Sequence, residues 1–194
     1  MRYKDKNKIR ALHQAVIDVV IKEGYHNLSV AKVAKQAGVS PATLYIYYSD
    51  KQAMLGQVYL EIKQLIDARL YQNFDPQSED VKKQFETLLT NYANALNLYP
   101  EEATVMGVFN DNPDLIPEEV YQTGMDLAQP IKDLYTNALK RDVIKRILPE
   151  ILIAYTFEPI NNIARLRFDN GELLSKDDIK QLIDMAWQAC LKRN

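Results

Sequence analysis

The stretch SVAKVAKQAGVSPATLYIYYSDK, residues 29–51, decides the fold. Val30, Val33, Ala34 and Ala37 recur at i, i+3, i+4 and i+7, one face of a short helix. Gly38 stands where that helix stops, because glycine takes the left-handed conformation after a helix end without steric cost. Two residues on, Ser40 is placed to cap a second helix, and Pro41 suits its first position, where no backbone donor is required. The spacing predicts a helix-turn-helix. On the second helix Leu44 and Tyr48, four apart, face inward, while Pro41, Ala42, Thr43, Tyr45 and Tyr47 face outward.

Upstream, a helix from Asp5 to Glu23 carries the apolar stripe Ile9, Leu12, Val16, Val19 and Val20, and Gly24 ends it. It braces the helix-turn-helix, with Arg2, Lys4 and Lys6 as a basic arm ahead of it. Downstream, Ser49 is read as the cap of a long fourth helix reaching Leu70, with Gln52 completing a capping box. That helix starts in the head and ends in the body, so it is the natural lever between them. Gly56 inside it is read as a helix cost of about 1 kcal/mol against alanine.

Further helices are expected over 78–98, 101–109, 117–140, 149–168 and from Ser175 onward. Pro100, Pro117 and Pro149 are each followed by carboxylates, which suits helix starts: proline costs nothing there and the acids oppose the helix dipole. Pro130 and the Glu158–Pro159 step predict breaks inside two of the helices. No strand is expected. The fold is expected to be all-α, with about nine helices: a helix-turn-helix head over residues 1–50 and a helical body over residues 51–194.

Apolar content of 47% and charged content of 26% are ordinary for a globular chain of 194 residues. No apolar run approaches the ~20 residues of a membrane span, and MRYKDKNKIR lacks the apolar segment of a signal peptide. The single cysteine, Cys190, excludes an intramolecular disulfide and a Cys-rich zinc site. A cytoplasmic protein is expected. Net charge is −2, yet residues 1–51 hold nine basic and four acidic side chains, a local +5, so the remainder carries −7. A basic head on an acidic body suits docking on phosphate.

At these residues the chain resembles the TetR family of bacterial transcriptional regulators. The resemblance rests on Ser29, Val33-Ala34, Ala37-Gly38-Val39-Ser40, Ala42-Thr43, Leu44-Tyr45, Tyr47-Tyr48 and Lys51, about the first quarter of the chain. The second residue of the aromatic pair is more often Phe in the family, and here it is Tyr48. The resemblance implies that Ser29 and Lys51 contact phosphate at two helix N-termini. It also implies a two-fold dimer formed through the last two helices, and a body that binds a small molecule and thereby changes the spacing of the heads.

The reading helix must enter a major groove about 12 Å wide. Pro41 and Ala42 allow close approach, Ser40 at the cap is a DNA-binding candidate beside them, and Thr43 can meet a base edge or a thymine methyl. Tyr45 and Tyr47 can place hydroxyls on phosphate, and Lys35 and Gln36 are further candidates. Two heads about 34 Å apart would read a palindromic operator in double-stranded DNA. Ile151, Tyr155, Ile163, Leu166, Leu182, Ile183, Ala186, Trp187 and Cys190 are available to the dimer, though a stripe of this kind serves equally as the core of one subunit.

For an effector pocket the candidates are Tyr92, Met106, Phe109, Tyr121, Met125, Tyr155, Glu158, Asn162 and Arg165. Both charge signs occur among them, so the effector's class stays open, with glycerol, drug and acyl-chain ligands all compatible. The alternative is a DNA-binding protein whose C-terminal domain recruits a protein partner and has no pocket. An enzyme is not expected. The only histidines, His13 and His26, lie in the head, read as a partly exposed face residue and a loop residue. There is no Gly-rich phosphate loop, no Ser-His-Asp arrangement and no metal-ligand spacing, and no cofactor is expected.

Overall fold

The helix-turn-helix is closed by the backbone demands that its residue types meet. A computed structural model describes residues 5–192. Helix α2 (Val30–Gln36) is capped by Ser29, whose hydroxyl accepts from the Lys32 N–H. Gly38 sits at φ +68°, with its N–H on the Lys35 carbonyl at 3.2 Å and the Val39 N–H on the Ala34 carbonyl at 2.9 Å. These are the two bonds that end a helix through a left-handed residue. Ser40 then caps α3 (Pro41–Tyr47), accepting from the Thr43 N–H at 3.1 Å.

Helix α1 (Lys6–Glu23) is capped by Asp5 and stopped by Gly24. Its face of Leu12, Val16, Val19 and Val20 is buried with Val33, Ala34, Leu28 and Leu44. Arg2 and Lys4 of the expected arm lie outside the described residues. Helix α4 (Lys51–Leu70) begins one residue later than Ser49 would set it. Asp50 is the cap: its carboxylate accepts from the Ala53 N–H at 2.8 Å, and the Ser49 hydroxyl donates to it at 2.9 Å. A carboxylate at the positive end of a helix has the electrostatic advantage over a hydroxyl.

The described residues form eleven α-helices and two single 3₁₀ turns, with one isolated bridge, Ile144–Leu191, and no named strand. The expected count of about nine is recovered once the two proline breaks are recognised. The helix expected over 117–140 divides into α7 (Glu118–Asp126) and α8 (Gln129–Lys140) beside Pro130. The one over 149–168 divides into α9 (Pro149–Thr156) and α10 (Glu158–Asp169) beside Pro159. Pro100 and Pro149 are the first residues of their helices, whereas Pro117 stands one residue outside.

Contacts divide the chain into two compact units. The first runs to Gln64 and takes in Glu101–Gly124; the second holds Leu65–Pro100 and the chain from Met125. Helix α4 therefore contributes to both. In the first unit, α6 (Pro100–Asp111) and α7 pack with the head side of α4. The Tyr59 ring stacks on Tyr121 and meets Phe109 edge-on, both at 5.9 Å between centroids. The connection between α6 and α7 is tied down by Tyr25, whose hydroxyl donates to Asn112 at 3.0 Å, and by the Gln52 amide, which donates to the Asp114 carbonyl at 3.0 Å. Gly56 is more than a helix cost. A Cβ there would stand 3.1 Å from both Pro117 Cδ and Val120 Cγ1, so its absence permits the close approach of α7.

In the second unit, α5 (Val81–Leu98) is capped by Asp80 and buries Phe85, Leu88, Leu89, Tyr92 and Leu96. Helix α11 (Lys176–Cys190) carries the expected Ser175–Asp178 capping box and packs on α5, with Trp187 against Phe85 at 5.2 Å. Hydrogen bonds from Arg167 hold the Asp178 carboxyl well below the usual carboxylate range and join the ends of α10 and α11. At the α9–α10 break the Tyr135 and Thr156 hydroxyls lie 2.6 Å apart, both buried. No helix among the described residues is long and apolar enough to cross a membrane.

Candidate nucleic-acid interface

Helix α3 presents to solvent a face whose residues are fixed by what lies on its other side. Leu44 and Tyr48 turn inward, and the Tyr48 N–H closes the last turn on the Leu44 carbonyl at 3.1 Å. Pro41, Ala42 and Tyr45 are exposed, Tyr45 at 55%, while Thr43 and Tyr47 are half-buried. The Thr43 hydroxyl lies 2.9 Å from that of Ser40, so the cap engages it.

Ile46, which the sequence reading passed over, is 56% exposed on this face. Its position was legible: two residues at 100° each place it opposite Leu44. An isoleucine is discounted as a surface residue by its type, although an apolar side chain on a reading helix suits a thymine methyl.

The flanking candidates divide. Ser29 is exposed at the N-terminus of α2. The Lys51 ammonium donates to the Leu28 carbonyl at 2.7 Å, which brings the start of α4 to the residue before Ser29. Lys35 is exposed in the last turn of α2, whereas the Gln36 amide donates to Asp18 at 2.6 Å.

His13 is not the partly exposed residue expected; it is 9% exposed, and its ring meets the residue that closes α3 and a residue of α4. Its Nε2 lies 2.7 Å from the Tyr48 hydroxyl, and its Nδ1 contacts the Glu61 carboxylate. Burial, then the Glu61 charge, push the Tyr48 phenol up to about 12.

The nine effector candidates are shared between the two units. Met106, Phe109 and Tyr121 belong to the first unit, where Phe109 and Tyr121 surround Tyr59. Tyr92 is buried in the second unit, its hydroxyl donating to Asn161 at 2.6 Å and its ring edge-on to Phe157 at 5.0 Å. Tyr155, Glu158, Asn162 and Arg165 are exposed on α9 and α10, and Met125 is exposed at the end of α7. Among the described residues no group of three or more His, Cys, Asp or Glu could hold a metal ion.

An exposed, serine-capped reading helix on a small helical head, followed by a larger helical region, defines a helix-turn-helix DNA-binding protein. Residues 14–58 match the family model described as bacterial regulatory proteins, tetR family, and residues 80–191 match that of the tetracyclin repressor-like C-terminal domain. The chain belongs to the TetR family. It is 31% identical over 144 residues to a fatty acid metabolism regulator protein of Bacillus subtilis, covering 74% of this chain and 67% of that one. It is 24% identical over 201 residues to an HTH-type transcriptional regulator of Haemophilus influenzae, covering 99% and 100%. A TetR family transcription regulator from Marinobacter aquaeolei shares its fold over the full length of both chains, with a TM-score of 0.84 at 23% identity. The protein is thus a DNA-binding transcriptional regulator and not an enzyme.

Proposed function

We propose that the protein is a repressor that holds a palindromic operator as a homodimer and leaves it when a small molecule binds the C-terminal region. The observation that carries the reading is the outward face of α3, where Pro41, Ala42, Tyr45 and Ile46 stand clear of the core with Thr43 and Tyr47 at its edge. Ser29, Lys35, Ser40 and Lys51 then set the head on the phosphates, and Thr43 and Ile46 meet base edges.

The dimer is supported by a sorting of the apolar stripe that the sequence left undivided. Ile183, Ala186, Trp187 and Cys190 turn into the core, while Ile151 and Tyr155 on α9, Leu166 on α10 and Met185 on α11 are exposed. These three helices pack on one another. The effector class to test first is a fatty acid or an activated acyl derivative, because the Bacillus subtilis relative regulates fatty acid metabolism. Effector and operator oppose each other by linkage: each weakens the other by the same factor, about 5–150-fold in such couplings.

The test is selection of bound duplexes from a random pool, with the mass in solution measured alongside, followed by titration of the selected duplex with long-chain acyl compounds. A palindromic site, a dimer, and acyl release of the site are expected. A monomer with only salt-sensitive, sequence-independent binding would overturn the operator reading. An acyl compound that binds equally with and without operator would overturn the release mechanism. Within this frame Thr43→Ala changes the preferred base at one position in each half-site, by about 1–3 kcal/mol of discrimination. Equal loss on selected and random duplexes would remove Thr43 from readout.

A further inference from the structure

We propose that His13 is a positioning residue for operator recognition, whose imidazole ties the C-terminal end of α3, through Tyr48, to the middle of α4, through Glu61. The proposal rests on α3 being the helix that reads bases.

The ring stands on the buried face of α1, which also carries Leu12, Val16 and Ile17. A buried imidazole is tolerated only where its two nitrogens are satisfied. Both are, and each partner comes from a different element. A carboxylate accepts and does not donate, so Glu61 sets the proton on Nδ1. In the neutral ring Nε2 is then bare and accepts the Tyr48 O–H, a phenol that stays protonated in neutral solution. The link runs from the end of α3 through α1 to α4.

The position of the link gives it leverage. Tyr48 is the residue that closes α3, so fixing its hydroxyl fixes the end of that helix. Glu61 lies ten residues into α4, about 15 Å along its axis at 1.5 Å per residue. A shift or rotation of α4 therefore pulls on the ring rather than passing beneath it. Tyr47, Tyr48 and Ser49 also line a groove of about 470 Å³ together with Ile9, His13, Ala53 and Gln57. The Tyr48 side chain is buried, and its hydroxyl is held by the directional bond to His13. Apolar contact is non-directional and would tolerate sliding. A phenylalanine in place of Tyr48 would fill the ring space and carry no such link.

Glu61→Gln separates positioning from plain electrostatics, because the two predict opposite signs. Removing a negative charge from the unit that carries α3 favours every duplex. Weakening the link instead lowers affinity for the selected operator by about fivefold, one hydrogen bond's worth, with random duplex unchanged or tighter. In a His13→Leu/Tyr48→Phe background, where both polar partners are replaced together, the same Glu61→Gln change no longer weakens operator binding and leaves only the sequence-independent gain. Tyr48→Phe alone serves as the background if the double variant does not fold. Operator binding that is unchanged or tighter on Glu61→Gln would overturn the proposal, and so would an equal loss in both backgrounds. Thr43→Ala combined with Ile46→Ala, run beside it, reports on α3 itself: if base preference survives both changes, the reading of α3 fails, whatever Glu61 does.

Discussion

Gly124→Ala is expected to destabilise the protein by about 2–3 kcal/mol, near the top of the usual range for overpacking. Intrinsic propensity argues the other way, since alanine in a helix interior is worth about 1 kcal/mol over glycine. Geometry decides the sign. A Cβ on Gly124 would lie 2.4 Å from Cε1 of Tyr59 and 2.6 Å from its hydroxyl oxygen. The ring cannot retreat, because Tyr59 is fully buried with Phe109 at its edge and Tyr121 over its face. Chemical denaturation of wild type, Gly124→Ala, Tyr59→Leu and the double variant forms a cycle. Tyr59→Leu alone creates a cavity, and the added methyl partly fills it, so the double variant should lose less than the sum of the singles by more than about 1 kcal/mol. A Gly124→Ala protein as stable as wild type would mean that α7 is not seated on α4 as described. Gly56→Ala tests the same contact more gently, because its neighbours at 3.1 Å need yield only a few tenths of an ångström.

The contrast between these glycines and Gly38 shows where a sequence speaks and where it is silent. Gly38, Ser40 and Pro41 were legible because each residue type answers a local backbone demand: a positive φ, an open N–H, a position with no donor required. The proline breaks at 130 and 159 were legible for the same reason. Gly56 and Gly124 answer a demand made by another helix, 61 and 65 residues away at Pro117 and Tyr59, and nothing local announces it. His13 was misplaced on similar grounds. A single stripe describes a helix buried on one side, whereas α1 is buried broadly enough to take in Leu12, His13, Ala15, Val16 and Ile17 together. The partners of His13 lie 35 and 48 residues on. The effector candidates were chosen as aromatic and polarizable residues near expected kinks. Residue type alone could not separate Tyr92, which is buried, from Tyr155, which is exposed.

The largest functional effect is expected from the exposed apolar side chains of the last helices. Tyr155→Glu combined with Met185→Glu should leave a folded monomer whose affinity for the selected operator falls by about 100-fold or more. The monomer loses little, because these side chains are 61% and 72% exposed, and neither supplies the core that Trp187, Ile183 and Phe85 build. The dimer loses much. In a two-fold interface each new carboxylate enters the same patch twice and is set against its own copies, and an unpaired charge buried there is costly. With the link between protomers gone, the second head no longer binds at the high effective concentration that the first provides. Each head should keep its own contacts, so binding to a single half-site should be the same for variant and wild type. Mass in solution and titration against full-site and half-site duplexes measure all of this together. If the variant stayed a dimer, the interface would lie elsewhere than Tyr155 and Met185. A monomer that still held the full site at wild-type strength would show one head to be sufficient, and the palindrome would have no part in recognition.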